Sequence, residues 1–126
     1  MATANRLQDL VMAEFRVGVN GNEILRAARD RAAGEGIRAS IYSHPIGLHG
    51  HGAGPTIGLW DQQDGVPGTG DYPVRAHTAY SIELAATVSV PEWEGKDVSV
   101  MLEEDAYFDG DSIAFLDGRQ TDLWLI

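Results

Sequence analysis

Cysteine is absent from the 126 residues, which removes disulfides and thiolate metal ligands and leaves the redox compartment unread. Basic charge is scarce: 9 Lys and Arg stand against 19 Asp and Glu, for a net charge of -10. A phosphate backbone is held by clustered cations, so nucleic acid is excluded as an expected partner. Long apolar runs are also missing. No stretch is long enough to span a bilayer, and Met1-Ala2-Thr3-Ala4-Asn5-Arg6 lacks the apolar core of a signal peptide. The expectation is a soluble chain with no membrane partner, with the cytoplasm as the favoured compartment. Two catalytic signatures are lacking as well. There is no Gly-x-Ser-x-Gly elbow for a serine hydrolase, and the glycines at 50, 52 and 54 neither follow a strand nor open a helix as a dinucleotide fingerprint requires.

What remains is the composition of an ordinary globular chain. Hydrophobic residues make up 44% and charged residues 22%, near globular averages, and the length suits one domain with one core. The acidic balance favours solubility and concentrates cations near a cleft.

Leu7, Leu10, Val11, Ala13 and Phe15 recur at helical spacing, which predicts a first helix over about 5–17, stopped by Gly18. Asn20 precedes Glu23 by three residues, the spacing of a capping box, and opens a second helix over about 21–34 that buries Ile24, Leu25, Ala28 and Ala32. Gly34 and Gly36 end it, and Ile37 to Ser43 reads as a short strand. The stretch 54–78 then loses periodicity and holds five glycines, three prolines and three aspartates. Loops of that length in a compact chain are functional or disordered; Trp60, Tyr72 and the prolines favour a packed lid or wall. From Ala79 to Val90 the pattern alternates, with Tyr80, Ile82, Leu84, Ala86, Val88 and Val90 on one face. A turn over 91–96 leads to a second strand, Val98 to Phe108. Asp109-Gly110 and Asp117-Gly118 are hairpin turn signals. Leu123-Trp124-Leu125-Ile126 is too apolar for a loose tail. The expected class is α+β, two helices followed by a curved antiparallel sheet.

The chemistry gathers in three short runs. Gly47-Leu48-His49-Gly50-His51-Gly52-Ala53-Gly54 places histidines on a glycine-lined backbone that a ligand can approach closely. Ser81-Ile82-Glu83-Leu84 and Leu102-Glu103-Glu104-Asp105 each put a glutamate on the strand face opposite the apolar residues. Glu83 and Glu103 either solvate an outer sheet face or share a cleft with His51. The shared cleft would suit a divalent ion such as Mn, Co or Zn. Glu104 shares the parity of Val100 and Leu102, so either the strand is covered on both sides or its register bends there. His44, before Pro45, and His77 read as structural or exposed.

These three runs resemble, in order, spacing and strand context, the C-terminal motifs of the pita-bread metallopeptidases, a family that includes methionine aminopeptidase, aminopeptidase P and prolidase. The resemblance covers nearly the whole of 1–126, which it marks as one partial domain: helices over about 5–34, a motif loop over 44–78 and a β-rich part over 79–126. It is strongest toward the Xaa-Pro aminopeptidase and prolidase branch. It implies half of a pita-bread fold, and a segment of a peptidase that cleaves next to proline. In that family two divalent metals share two aspartates, one histidine and two glutamates. The resemblance places His51, Glu83 and Glu103 among these ligands, with Glu83 also moving a proton. The two aspartates have no counterpart here, because Asp9 and Asp30 fall on helices. The family's second histidine, seven residues after the first, is replaced by Gly58. The resemblance then leaves Trp60, Asp61 or Gln62 to shape the substrate pocket and His49 or His44 to handle protons. It implies at most one weakly bound metal, no activity for the chain alone, and either self-association or a partner bearing the other half. A creatinase-like hydrolase without metal and a non-catalytic binding or assembly module are the alternatives.

Overall fold

The computed structural model describes residues 1–124. Its elements run α1 (Ala2–Met12), α2 (Gly21–Gly34), β1 (Arg38–Ile41), β2 (His44–Gly47), β3 (Gly50–His51), β4 (Thr78–Val90), β5 (Lys96–Phe108) and β6 (Ile113–Phe115). This is the α+β arrangement expected, two helices and then an antiparallel sheet. No helix among the described residues is long and apolar enough to cross a membrane.

The first helix ends five residues before its expected limit. Its periodicity runs on to Phe15, but that ring is delivered by the turn that follows Met12. There it packs edge-on against Tyr80, with centroids 4.9 Å apart, and beside Phe108 at 5.9 Å. Burying an aromatic ring in the sheet outweighs one more turn of exposed helix. The second helix keeps its expected bounds. Glu23 N–H donates to Asn20 Oδ1 at 2.8 Å and Asn20 N–H donates to Glu23 Oε2 at 2.9 Å, closing both bonds of the capping box.

The expected strand over 37–43 is shorter and changes partner. Arg38–Ile41 pairs with β4, Tyr42 N–H still donates to the carbonyl of Glu83, and then Ser43 exchanges two main-chain bonds with Ile57. The chain returns to β4 at His44, opposite Ser81. The sheet order is β3-β2-β4-β5-β6, with β1 on the same edge of β4 as β2. Residues 78–90 pair with 96–108 along their whole length.

One face of this sheet carries Tyr80, Ile82, Leu84 and Ala86, all fully buried, against Leu7, Leu10, Val11, Ile24, Leu25 and Ala28 of the helices. Each large aliphatic side chain so buried contributes about 1.5–3 kcal/mol. Val88 and Val90 run beyond the helices and are only partly covered. Glu104 lies on this same face with its register unbroken, opposite Ile82. It is covered by α1: Gln8 donates to its carboxylate, and the Gln120 N–H donates to Oε1 at 3.0 Å. Asn5 completes the network, donating to Gln8 Oε1 at 3.2 Å and to the Gln120 carbonyl at 2.9 Å. A half-buried acid is tolerated on the apolar face because its oxygens are satisfied.

The long stretch 54–78 is clamped from beneath. Gln63 accepts from Ile41 N–H at 2.9 Å and donates to the carbonyls of Ile41 and Leu59, while Asn22 pairs with both the N–H and the carbonyl of Val66. Trp60 and Tyr72 stay 40% and 53% exposed, so they wall the loop without being enclosed by it. At the C-terminus Leu123 and Trp124 are exposed, which corrects the expectation of a packed tail that far; without an apolar surface over them, side-chain type alone does not bury them. Leu125 and Ile126, the rest of that expectation, lie outside the described residues.

Candidate metal centre

The second face of the sheet is open, and the pleat places Glu83 there with Ser81, opposite the buried series. In the β4–β5 ladder Glu83 stands directly across from Glu103. Like charges in that relation destabilise a sheet unless something relieves them. Burial pushes the Glu83 carboxyl above its ordinary value; the Glu103 charge pushes the same way, and His51 pulls it back down. Ser81 Oγ donates to Glu103 Oε1 at 2.9 Å and turns that carboxylate toward its neighbour.

The third donor comes from β2. His44, only 7% exposed, brings Nε2 to 3.7 Å from Glu83 Oε2. His44, Glu83 and Glu103 can each offer one ligand atom, all within 4.8 Å of one another. The other ring nitrogen of His44, Nδ1, lies 3.0 Å from the carbonyl of Pro45. A carbonyl only accepts, so Nδ1 carries the hydrogen, and in the neutral ring Nε2 presents a lone pair to the acids. A ring oriented by a main-chain carbonyl, one carboxylate oriented by a hydroxyl and two acids facing each other fit a divalent cation by their donor chemistry.

The glycine run explains how a second imidazole reaches this place. A Cβ on Gly52 would stand 2.6 Å from the carbonyl oxygen of Ile46, so only glycine lets β2 and the β3 segment close so tightly. The closure stacks the ring of His51 on that of His44, centroids 3.9 Å apart and planes 23° from parallel. His51 Nε2 is 2.6 Å from the hydroxyl of Tyr42, and Tyr42 is met edge-on by Trp60. Burial raises the Tyr42 phenol above its usual value, reinforced by the charges of Glu83 and Glu103.

The residues singled out from sequence are therefore distributed unevenly. Glu83 and Glu103 meet, and His44 joins them through its own lone pair. His51 stands alongside, its Nε2 turned to Tyr42 rather than to the acids. His49 sits exposed on the β2–β3 turn, away from the cluster. Trp60 reaches the edge of the site through Tyr42; Asp61 is exposed, and Gln62 closes a turn with Leu59 through two main-chain bonds. His77 lies on the open face against Tyr107, with its Nδ1 3.0 Å from the hydroxyl. Asp9 is held by Arg119 at 2.5 Å, on the helical side of the molecule. Gly58, where the family's second histidine would fall, has φ +73, and a Cβ there would lie 2.2 Å from the Ile41 carbonyl oxygen. No side chain fits that position.

Sequence reasoning missed Ser81 and Tyr42. Ser81 was findable, since it shares the strand parity of Glu83. Tyr42 was not, because the chain changes pairing partner at 42–43 and strand parity does not carry through.

No protein-family model matches this chain, and no curated protein sequence matches it. Among solved structures it is similar to the X-Pro aminopeptidase from Thermotoga maritima MSB8, at 17% sequence identity and a TM-score of 0.67, covering 99% of this chain and 32% of that one. The likeness shows the fold: two helices and an antiparallel sheet, half of the pita-bread arrangement of an aminopeptidase that is about three times longer.

Proposed function

We propose that this chain carries the C-terminal part of a divalent-metal centre of the X-Pro aminopeptidase and prolidase kind, with His44, Glu83 and Glu103 as its ligands. The observation that carries this reading is the convergence of those three side chains on one point of the open sheet face. Mn, Co or Zn would suit the mixed oxygen and imidazole donors, and bound there would supply Lewis-acid polarisation of a carbonyl and an acidified water. The chain's own residues do the rest. Pro45 fixes the His44 tautomer, Ser81 aims Glu103, and burial raises the affinity of Glu83 for a proton, the direction that a proton-transfer group needs.

Three protein ligands hold one ion weakly and leave no place for a second. No aspartate of the described residues stands in the cluster. The reading therefore assigns the full reaction, hydrolysis of a peptide bond next to proline, to an assembly in which a further segment or a second chain adds aspartates over this face. Its test is the visible spectrum of the cobalt-loaded chain. Absorption bands of protein-bound Co should appear on titration and vanish in Glu103→Gln. A Glu103→Gln spectrum equal to wild type would remove the cluster from the reading.

One observation favours a second reading, a creatinase-like hydrolase working without metal. The stacked imidazoles of His44 and His51, with Glu83 and Tyr42 at their edges, bring four groups able to carry protons to one place. Hydrolysis that survives exhaustive chelation in the completed assembly would decide for it.

A further inference from the structure

We infer that Tyr42 is a positioning residue, whose hydroxyl donates to Nε2 of His51 and holds that ring as the Nδ1–H tautomer. The distance, 2.6 Å, requires a hydrogen bond but leaves its direction open. Chemistry sets the direction. A phenol ionising near ~10 is a better donor than a neutral imidazole N–H, and an imidazole lone pair is a better acceptor than a phenol oxygen. Tyr42 makes no other side-chain hydrogen bond among the described residues, so donating to His51 is also the only way its O–H is satisfied within the protein. Its ring is kept in place by the edge of Trp60, at 5.9 Å between centroids, and lies nearly parallel to that of His51, 27° between planes.

The two stacked histidines then hold the same Nδ1–H tautomer but present different groups to the site. His44 donates through Nδ1 to the Pro45 carbonyl and presents a lone pair at Nε2 toward Glu83. His51 has its Nε2 lone pair occupied by Tyr42, and its Nδ1 hydrogen has no partner among the described residues. One ring is set to meet a cation and the other to meet an oxygen. The group that His51 suits is a carbonyl or carboxylate oxygen entering the open face beside the acids; this last step rests on the hydrolytic reading above, whereas the tautomer assignment does not.

Long-range proton–nitrogen correlation spectra of the histidine rings test this directly. They are recorded at about pH 8.5, well above the ordinary histidine value of about 6.5, on the wild type and Tyr42→Phe, with His51→Gln to assign the signals. The wild type should show both His44 and His51 as Nδ1–H. In Tyr42→Phe, His51 should move to the Nε2–H form that free imidazole side chains favour, while His44 stays as it was and reports an intact fold. A wild-type His51 already in the Nε2–H form, or a His51 unchanged by Tyr42→Phe, overturns the inference. Zinc titration separates the two readings. Tyr42→Phe should bind zinc within about twofold of wild type, a difference smaller than one hydrogen bond is worth; a loss of zinc affinity would make Tyr42 part of the cation site and overturn its positioning role. A wild type that fails to bind zinc but shows the expected tautomers overturns the metal reading and leaves Tyr42 in its role.

Discussion

At the scale of single residues, hydrogen-bond satisfaction separates the groups that act from those that only support. His44, Glu103 and Glu104 each have an assigned partner, and the partner explains the orientation. Tyr80 is the exception. Its hydroxyl is buried and no group of the described residues satisfies it; the Arg75 main chain and Thr78 side chain lie near enough to moderate its ionisation without meeting hydrogen-bond geometry. Burial pushes the phenol up to about 12. In an unfolded chain it ionises near ~10. The folded state therefore holds the proton more tightly, so this contribution is fully present below about pH 10 and is lost as pH rises through about 12. The loss is on the order of 2–3 kcal/mol. Urea unfolding at a series of alkaline pH values should show that decline in wild type and a flatter one in Tyr80→Phe. At neutral pH the variant should be no less stable than wild type, since removing an orphan hydroxyl costs no hydrogen bond. Equal pH profiles for the two proteins would show that Tyr80 does not carry the effect.

At the scale of elements, the helices and the two long strands were legible because their signals are local. The capping box at Asn20 and Glu23 and the period-two run from Tyr80 to Ala86 depend only on neighbours in sequence, and both stand where they were expected. What was not legible depends on contacts distant in sequence. Phe15 left its helix for Tyr80 and Phe108, Glu104 found Gln8 across 96 residues, and the strand after Gly36 broke where Ser43 met Ile57. The candidate site divides the same way. Glu83 and Glu103 followed from strand parity, while the lone pair of His44 depends on the Pro45 carbonyl and on the return of β2 to β4. The Ser43–Ile57 crossing gives a prediction of its own. Gly58→Ala forces a side chain onto the Ile41 carbonyl in a left-handed backbone, and should cost about 2–4 kcal/mol by chemical denaturation. The proposed His44–Glu83–Glu103 site should loosen with it, because Ile41 leads directly into Tyr42 and His44. A variant as stable as wild type would mean that the crossing yields without cost.

At the scale of the whole molecule, the sheet is finished on one side only. β4 is paired on both edges, but β5 meets β6 only through Ala106, Tyr107 and Phe108. The rest of its outer edge, from Lys96 toward Glu103, has no strand beside it among the described residues, and Met101 on the open face is 60% exposed. Unpaired edge groups next to apolar surface template the addition of another strand. The acidic charge opposes such pairing between like copies at low salt, and screening relieves it. Light scattering should therefore show association that increases with salt, and Met101→Lys, a charge placed at that edge, should reduce it. A monomer at every salt concentration would argue that the edge is closed by other means.

The central claim is that His44, Glu83 and Glu103 form one cation site. Calorimetric titration of Mn, Co and Zn into the metal-stripped protein tests it most directly, beside His44→Asn and Glu83→Gln/Glu103→Gln. Asparagine keeps a donor for the Pro45 carbonyl while deleting Nε2, and glutamine keeps the shape of each acid without its charge. The account predicts one weak site in the wild type, with a dissociation constant on the order of micromolar or above. It predicts a loss of at least about tenfold in affinity for His44→Asn and no measurable site in the double variant. Equal binding by all three proteins would contradict it.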